Sequence, residues 1–218
     1  MSEAHRAAGS LYIERAERLL AVLQRELGVP RAERTVIAVA GESGSGKSVT
    51  AIDLAAVLNA SGITTAIVHQ DNYFIRPPRT NHEHRLTDIG SVGPQEVQLA
   101  LIAEHMQAFR EGAGNVAAPV VDYPGNRFTT QSLDFTDARV LVVEGTYALL
   151  IEGADIRIFL DATYEDTAAN RRARNRDIDT PFVAQVLAIE HRIIAPQVER
   201  ADIVIDRSYG IRVRPTLT

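Results

Sequence analysis

The sequence predicts an α/β fold in which a mostly parallel, five-stranded sheet is flanked by helices. Apolar runs of strand length alternate along the chain with segments of helical periodicity, and a glycine-rich turn joins the first strand to the helix after it. This alternation is the pattern of right-handed βαβ units around a parallel sheet. The 218 residues, 45% of them apolar and 23% charged, suit one globular domain spanning residues 1–218.

The first elements are the clearest. Residues 11–27 carry apolar side chains at near-helical spacing until Gly28 and Pro30 end the pattern, so a helix is predicted within residues 1–30. Its polar face mixes Glu and Arg, which favours packing on its own domain over binding a membrane or a partner. Residues 35–40 form a continuous apolar run that is typical of a buried parallel strand, and residues 48–58 resume a helical pattern.

The same alternation continues to the end of the chain. Further strands are predicted at residues 64–69, 116–121, 139–143, 156–160 and 201–205. Further helices are predicted at residues 94–109, 166–176 and 182–194. Residues 75–93 and 123–137 show no regular pattern, and connections of this length in compact α/β domains are commonly functional.

Composition excludes several classes of protein. The net charge of −5 argues against nucleic-acid and anionic-membrane binding. The absence of Cys excludes disulfides, thiolate metal sites and Cys nucleophiles. No signal-peptide pattern and no run of about 18 apolar residues is present, so we expect a soluble, cytoplasmic protein that forms at most homo-oligomers. Of the 23 basic residues, Lys47 is the only lysine.

The glycine-rich turn matches the P-loop pattern G-x-x-x-x-G-K-[ST] at residues 41–48, after a strand and at the start of a helix. Its glycines let backbone N–H groups converge on phosphate oxygens, and the helix N-terminus adds partial positive charge. Lys47 is positioned to reach the β- and γ-phosphates, and Ser48 to bind Mg²⁺. The motif predicts a P-loop NTPase fold. The predicted nucleotide-binding residues of the loop are Gly41, Glu42, Ser43, Gly44, Ser45, Gly46, Lys47, Ser48 and Val49.

Two acidic residues follow predicted strands. Asp71 comes after residues 64–69, and Glu144 comes directly after residues 139–143. Because parallel strands bring their carboxyl ends to one edge of the sheet, both should face the P-loop. A carboxylate there can accept the proton of a substrate hydroxyl or hold Mg²⁺, directly or through water. The alternative is a helix-capping or loop-stabilising acid, for which Asp71 is also suitable.

Four arginines cluster on the helix predicted at residues 166–176. They are Arg171, Arg172, Arg174 and Arg176. They can stabilise a transferring phosphoryl group, bind nucleic acid or form a solvated surface. Their position after the strand at residues 156–160 of a P-loop protein favours a small lid at residues 164–180.

With these residues in view, the chain resembles the uridine kinase and phosphoribulokinase family of P-loop kinases over about residues 36–206. The resemblance rests on the P-loop at residues 41–48, His69-Gln-Asp-Asn-Tyr-Phe74, Val142-Val-Glu-Gly145, and Phe159-Leu-Asp161 followed by the arginine cluster. It implies transfer of the ATP γ-phosphoryl group to a hydroxyl of a small molecule, with Mg²⁺ as cofactor and no nucleic-acid or membrane partner.

The resemblance also implies residue roles. Asp71, Lys47 and Glu144 would be catalytic, Ser48 and Glu144 would hold the metal, and Arg172 and Arg176 would contact the phosphates. The acceptor would be bound by Asp71, Tyr73, Asp88, Tyr123 and Arg127. Residues 121–127 lack the Tyr-Asp pair and the following His that uridine kinases carry in the base pocket. The acceptor is therefore a nucleoside or a smaller hydroxylated compound, such as a sugar or hydroxy acid.

Two other classes of function remain. Asp122-Tyr-Pro-Gly125 matches the D-x-x-G pattern of a GTPase or ATPase switch, but the guanine-specifying Asn-Lys-x-Asp pattern is impossible with Lys47 as the only lysine. A catalytically inactive module that binds ATP is the second alternative.

Overall fold

The computed structural model describes residues 3–31, 33–173 and 180–215. The strands are β1 (Thr35–Gly41), β2 (Thr65–His69), β3 (Asn115–Asp122), β4 (Arg127–Asp134), β5 (Val140–Glu144), β6 (Ile156–Asp161), β7 (Ile203–Asp206) and β8 (Ile211–Val213). The α-helices are α1 (Glu3–Leu27), α2 (Lys47–Ala60), α3 (Pro78–Thr87), α4 (Leu99–Arg110), α5 (Ala168–Ala173) and α6 (Pro181–Ile194). Among these residues, no helix is both long and apolar enough to cross a membrane.

The main sheet has the strand order β2-β5-β1-β6-β7-β8. All neighbours pair in parallel except the short edge strand β8, which is antiparallel to β7. The mostly parallel sheet of the prediction is therefore confirmed, with β8 as a sixth strand. The central strand β1 is buried along its whole length, so the P-loop that follows it leaves the sheet at its centre.

Both faces of the sheet are covered, because alternate residues of β1 enter different cores. Ile37 and Val39 pack with apolar residues of α1 and α2, such as Leu23 and Leu54. The intervening residues face a second core, which includes Phe109 of α4. Helix α1 thus packs on its own domain, as its mixed-charge polar face indicated.

The two predicted connections contain regular structure. Residues 75–93 include α3, whose only buried residue is Asn81, so the segment lacks the apolar periodicity by which helices are recognised. Residues 123–137 include β4, a largely polar and exposed strand that pairs with β3. The strand predicted at residues 116–121 therefore belongs to a separate two-stranded hairpin and not to the main sheet.

Candidate active site

The P-loop connects β1 to α2 through backbone conformations that glycine adopts readily. Gly41, Gly44 and Gly46 all have positive φ, at 153°, 80° and 99°. A Cβ on Gly44 would lie 3.0 Å from the side chains of Thr167 and Arg171, so this glycine also permits α5 to approach the loop. The loop ends at the N-terminus of α2, where backbone N–H groups and the helix dipole favour an anion.

Ser48 and Glu144 lie together at the carboxyl edge of the sheet. Ser48 Oγ donates a hydrogen bond to Glu144 Oε1 at 3.1 Å, and His69 Nδ1 donates to the same oxygen at 2.7 Å. The hydrogen bond to Glu144 raises the pKa of His69, burial opposes this, and the charges of Glu144 and Asp71 raise it further. Glu144 and Asp71 thus act on one histidine, as expected of acids at neighbouring strand ends. A hydroxyl and a carboxylate are oxygen ligands of the kind Mg²⁺ prefers, so the residues present fit this metal.

Asp71 is exposed between two anchored neighbours on the short 3₁₀ helix that follows β2. Gln70 is fully buried, and its Oε1 accepts a hydrogen bond from Tyr147 N at 2.8 Å. Asn72 Oδ1 accepts one from Val121 N of the hairpin at 3.0 Å. The side chains on either side of Asp71 therefore fix this segment to the turn after β5 and to β3, while Asp71 itself stays accessible at the edge of the sheet.

The predicted acceptor-binding residues lie on three segments: the 3₁₀ helix after β2, the end of α3 and the hairpin. Tyr73 is buried, and a hydrogen bond of 2.8 Å joins its hydroxyl to His105 Nδ1. Tyr73 thus packs in the core, and its role in binding the acceptor stays a prediction. Asp88 is exposed after α3 and accepts a local hydrogen bond from Gly90 N. Tyr123 and Arg127 lie at the hairpin tip, where Arg127 pairs with Asp122 at 2.8 Å.

The arginine cluster is only partly within the described residues. Arg174 and Arg176 lie outside them, and Arg172 is exposed on α5. Arg171 is buried, and its guanidinium donates to Thr167 Oγ1 at 2.9 Å and to the Tyr164 carbonyl. The resemblance implies that Arg172 and Arg176 contact the phosphates and gives no reason to single out Arg171, whose side chain packs against Gly44 of the P-loop.

Glu42 is a further site residue whose environment the sequence did not reveal. Its side chain is buried inside the P-loop, where Oε1 accepts from His191 Nδ1 and Oε2 from Tyr164 N, both at 2.6 Å. The carbonyl oxygen of Glu42 accepts from Lys47 Nζ at 3.0 Å. These contacts join the P-loop to α6 and to the segment before α5, but the partners are more than 120 residues apart and share no motif spacing.

A buried charge cluster beside the P-loop was also not predicted. Glu96 is 1% exposed and accepts two hydrogen bonds from Arg85, at 2.8 and 2.7 Å, and one from Asn81 Nδ2 at 3.0 Å. Arg85 also pairs with Glu190 of α6 at 3.1 Å. Burial alone would lower the pKa of Arg85, but the hydrogen bond to Glu96 and the charges of Glu190 and Glu96 raise it. Burial raises the pKa of Glu190, and the charges of Arg85 and Lys47 oppose that rise.

The contacts of this cluster place α3 against α6 and close to Lys47.

Comparison with known proteins gives the context for this arrangement. The model of the phosphoribulokinase / uridine kinase family matches residues 36–213. The chain belongs to this family of P-loop kinases. The P-loop nucleotide-site motif and the kinase class predicted from the sequence are thereby supported, whereas the individual residue roles stay predictions.

Three similar proteins illustrate the range of the family. The chain is 25% identical over 91% of its length to a bifunctional α-galactosidase/sucrose kinase of Mediterraneibacter gnavus, of which it spans 23%. It is 28% identical over 78% of its length to a uridine kinase of Macrococcus caseolyticus, of which it spans 87%. The structure of a possible uridine kinase from Bacillus stearothermophilus superimposes with a TM-score of 0.62 at 17% identity, covering 88% of this chain and 97% of that one. The last similarity shows the shared fold.

Proposed function

We propose that the protein is an ATP-dependent kinase that transfers the γ-phosphoryl group to a hydroxyl of a small acceptor. The observation that carries this proposal is the arrangement of Ser48, Glu144 and Asp71 at the edge of the sheet from which the P-loop emerges. A nucleotide-binding switch needs the loop and a metal-holding group. An exposed second carboxylate at the same edge is the additional group that phosphoryl transfer to an alcohol needs.

Asp71 orients the acceptor hydroxyl and accepts its proton as the oxygen attacks phosphorus. Its fixed neighbours, Gln70 and Asn72, hold the backbone of this base in place, so little reorganisation is needed for the transfer. Lys47, at the start of α2, and Arg172, on α5, stabilise the charge on the transferring group. We assign the same role to Arg176, which lies outside the described residues.

Ser48 and Glu144 would hold Mg²⁺, which when bound neutralises charge on the β- and γ-phosphates. His69 competes with the metal for Glu144, because both bind a carboxylate oxygen. The link from Glu42 to His191 and Tyr164 keeps the P-loop in register with the elements that close over it. Exclusion of water by this closure would keep ATP from being hydrolysed in place of transfer.

The acceptor that we propose is an uncharged hydroxylated compound, either a nucleoside or a sugar. Its position next to Asp71 lies near a second acid, since Glu144 and Asp71 act on the same histidine, and Arg85 is already paired with two carboxylates. This environment disfavours an anionic acceptor such as a hydroxy acid. The names of the two relatives, a uridine kinase and a sucrose kinase, are compatible with both candidates. We place the enzyme in the cytoplasm, where ATP is supplied.

The test is ATP consumption that depends strictly on an added acceptor. Purified protein, Mg²⁺ and ATP are incubated with panels of nucleosides, neutral sugars, hydroxy acids and sugar phosphates, and phosphorylated products are identified by mass spectrometry. We expect product from one of the two neutral panels. ATP hydrolysis that no acceptor stimulates would instead indicate a switch, and nucleotide binding without turnover would indicate an inactive binding module.

A further inference from the structure

Helix α1 lies outside the family-matched residues, yet it reaches the P-loop. The match to the family begins at residue 36, and α1 ends at Leu27. A pocket lies where α1 crosses the start of α2 and the turn after β7. It is lined by Tyr12, Arg15, Gly46, Val49, Asp53 and Tyr209, among others. Family membership accounts for the P-loop, but it does not account for a pocket that α1 forms beside the P-loop.

The pocket lies where the nucleoside half of a P-loop nucleotide must extend. The α-phosphate binds at the N-terminal end of α2, against backbone N–H groups of the loop. Gly46, Val49 and Asp53 follow one another at helical spacing on the pocket side of α2. Asp53 comes seven residues after Gly46, which is about 10 Å along the helix axis. That length matches the reach from an α-phosphate to the far edge of a purine.

The wall opposite α2 is an arginine stacked on a tyrosine. The Arg15 guanidinium carbon lies 3.5 Å from the centre of the Tyr209 ring and 5.6 Å from the centre of the Tyr12 ring. Tyr209 is held by a tight turn, in which its N–H donates to Asp206 O at 2.8 Å. Within the described part of the chain, no carboxylate pairs with Arg15. The guanidinium is therefore available to stack on a ligand.

Asp53 is the acidic residue of the pocket wall that α2 forms. Burial raises the pKa of its carboxyl, and no hydrogen-bond donor contacts it within the described ranges 3–31, 33–173 and 180–215. A partly buried carboxylate without a donor can accept a hydrogen bond from an amino group of a ligand. The cavity volume is about 30 Å³, so a base enters only when the Arg15 side chain lifts from Tyr209.

We propose that α1 supplies one wall of the nucleobase pocket, with the base held between Arg15 and Tyr209 and its exocyclic amino group donating to Asp53. The proposal deepens the proposed function, since it requires that a nucleoside triphosphate binds the P-loop. It makes Arg15 and Asp53 specificity-determining residues for an amino-bearing purine, and Arg15 lies outside residues 36–213, which the family model matches.

The first experiment compares Arg15→Ala with Arg18→Ala, an exposed arginine of the same helix. Mg·ATP binding is measured by calorimetry, and the KM values for ATP and for the acceptor are measured where turnover is found. We expect Arg15→Ala to weaken ATP binding about five- to thirtyfold, the range of a desolvated guanidinium–π contact. Arg18→Ala should change it less than twofold, and neither should change the acceptor KM. ATP binding by Arg15→Ala that is unchanged or tighter would overturn the proposal.

The second experiment tests Asp53 with a matched pair of nucleotides: ATP and purine riboside triphosphate, which has hydrogen in place of the 6-amino group. The unmodified protein should bind ATP about tenfold more tightly, and Asp53→Ala should remove that preference. Equal preference in the two proteins would contradict the role of Asp53. These binding measurements need no acceptor. If no acceptor is phosphorylated but Arg15→Ala weakens ATP binding, the kinase proposal fails and the nucleobase pocket stands. If an acceptor is phosphorylated but Arg15→Ala leaves ATP binding unchanged, the nucleobase pocket fails and the kinase proposal stands.

Discussion

The phosphate side and the acceptor side of the site are built in different ways. The phosphate side is formed by eight consecutive residues, with positive φ at Gly41, Gly44 and Gly46. The acceptor side that we propose consists of the 3₁₀ helix after β2, α3 and the hairpin, and its contacts join residues far apart in the sequence. Asn126 Oδ1 accepts from Arg79 N at 2.8 Å, and Arg85 pairs with Glu190.

Because of this difference, we expect substitutions on the two sides to have different effects on stability and on ligand affinity. A phosphate site made of backbone groups in glycine-specific conformations should tolerate most changes elsewhere in the fold. The exceptions are changes at His191 and Tyr164, which contact Glu42 of the loop. An acceptor side held by long-range polar contacts should lose stability and acceptor affinity together when one contact is removed. Substitutions on the two sides can therefore be compared by whether they change catalysis, stability or both.

The largest effect is expected at the junction of the two sides. Asp71→Asn should lower kcat about 10³-fold, because the amide cannot accept the hydroxyl proton, while ATP affinity stays within about twofold. Turnover and calorimetric ATP binding are measured on the same preparation, with Asp137→Asn as the control at an exposed acid that has no role in the proposed site. Equal loss of turnover and ATP affinity would assign Asp71 a binding or structural role.

On the acceptor side, Glu96→Gln should lower the free energy of unfolding by about 3 kcal/mol, because it leaves Arg85 with a weaker set of buried acceptors. Glu190→Gln should cost less than about 1 kcal/mol, since Glu96 still pairs with Arg85 and burial already disfavours the Glu190 charge. Urea unfolding followed by circular dichroism measures both. Similar losses in the two variants would show that the cluster is not centred on Glu96.

On the phosphate side, Lys47→Arg should lower kcat about 10²-fold without lowering stability. A compact ammonium fits among phosphate oxygens, whereas the wider guanidinium does not. Steady-state kinetics and thermal unfolding give the two quantities. Full activity of Lys47→Arg would remove the reason for a lysine at this position in a chain that otherwise uses arginine.

The smallest effect is expected at the hairpin tip. Asn126→Ala should cost about 1–2 kcal/mol of stability, because it removes the contacts to Arg79 and Thr80 and places Ala at a φ of 48°. Asn126→Gly keeps the turn and removes only the contacts, so the difference between the variants isolates the strain. Both should raise the acceptor KM a few-fold and leave the ATP KM unchanged; a change in the ATP KM alone would contradict the division of the site.

The same division explains what the sequence could predict. The P-loop, the strands around it and the placement of Ser48 with Glu144 all follow from motifs and apolar runs that are local in the chain. Helix α3 could not be predicted, because its one buried residue, Asn81, is polar and pairs with a glutamate of another segment. The burial of Arg171 and the link between Glu42 and His191 depend on tertiary packing, for which no residue spacing gives a signal.

The presence of a single lysine, Lys47, has an experimental use. It carries the only side-chain primary amine among the 218 residues, and its Nζ lies at the mouth of the P-loop, 3.0 Å from the carbonyl oxygen of Glu42. An amine-selective acylating reagent therefore has one side-chain target, and that target is the group that we propose to contact the phosphates. The extent of acylation at this position, read by mass spectrometry, would report nucleotide occupancy directly, without a fluorescent analogue or an engineered label.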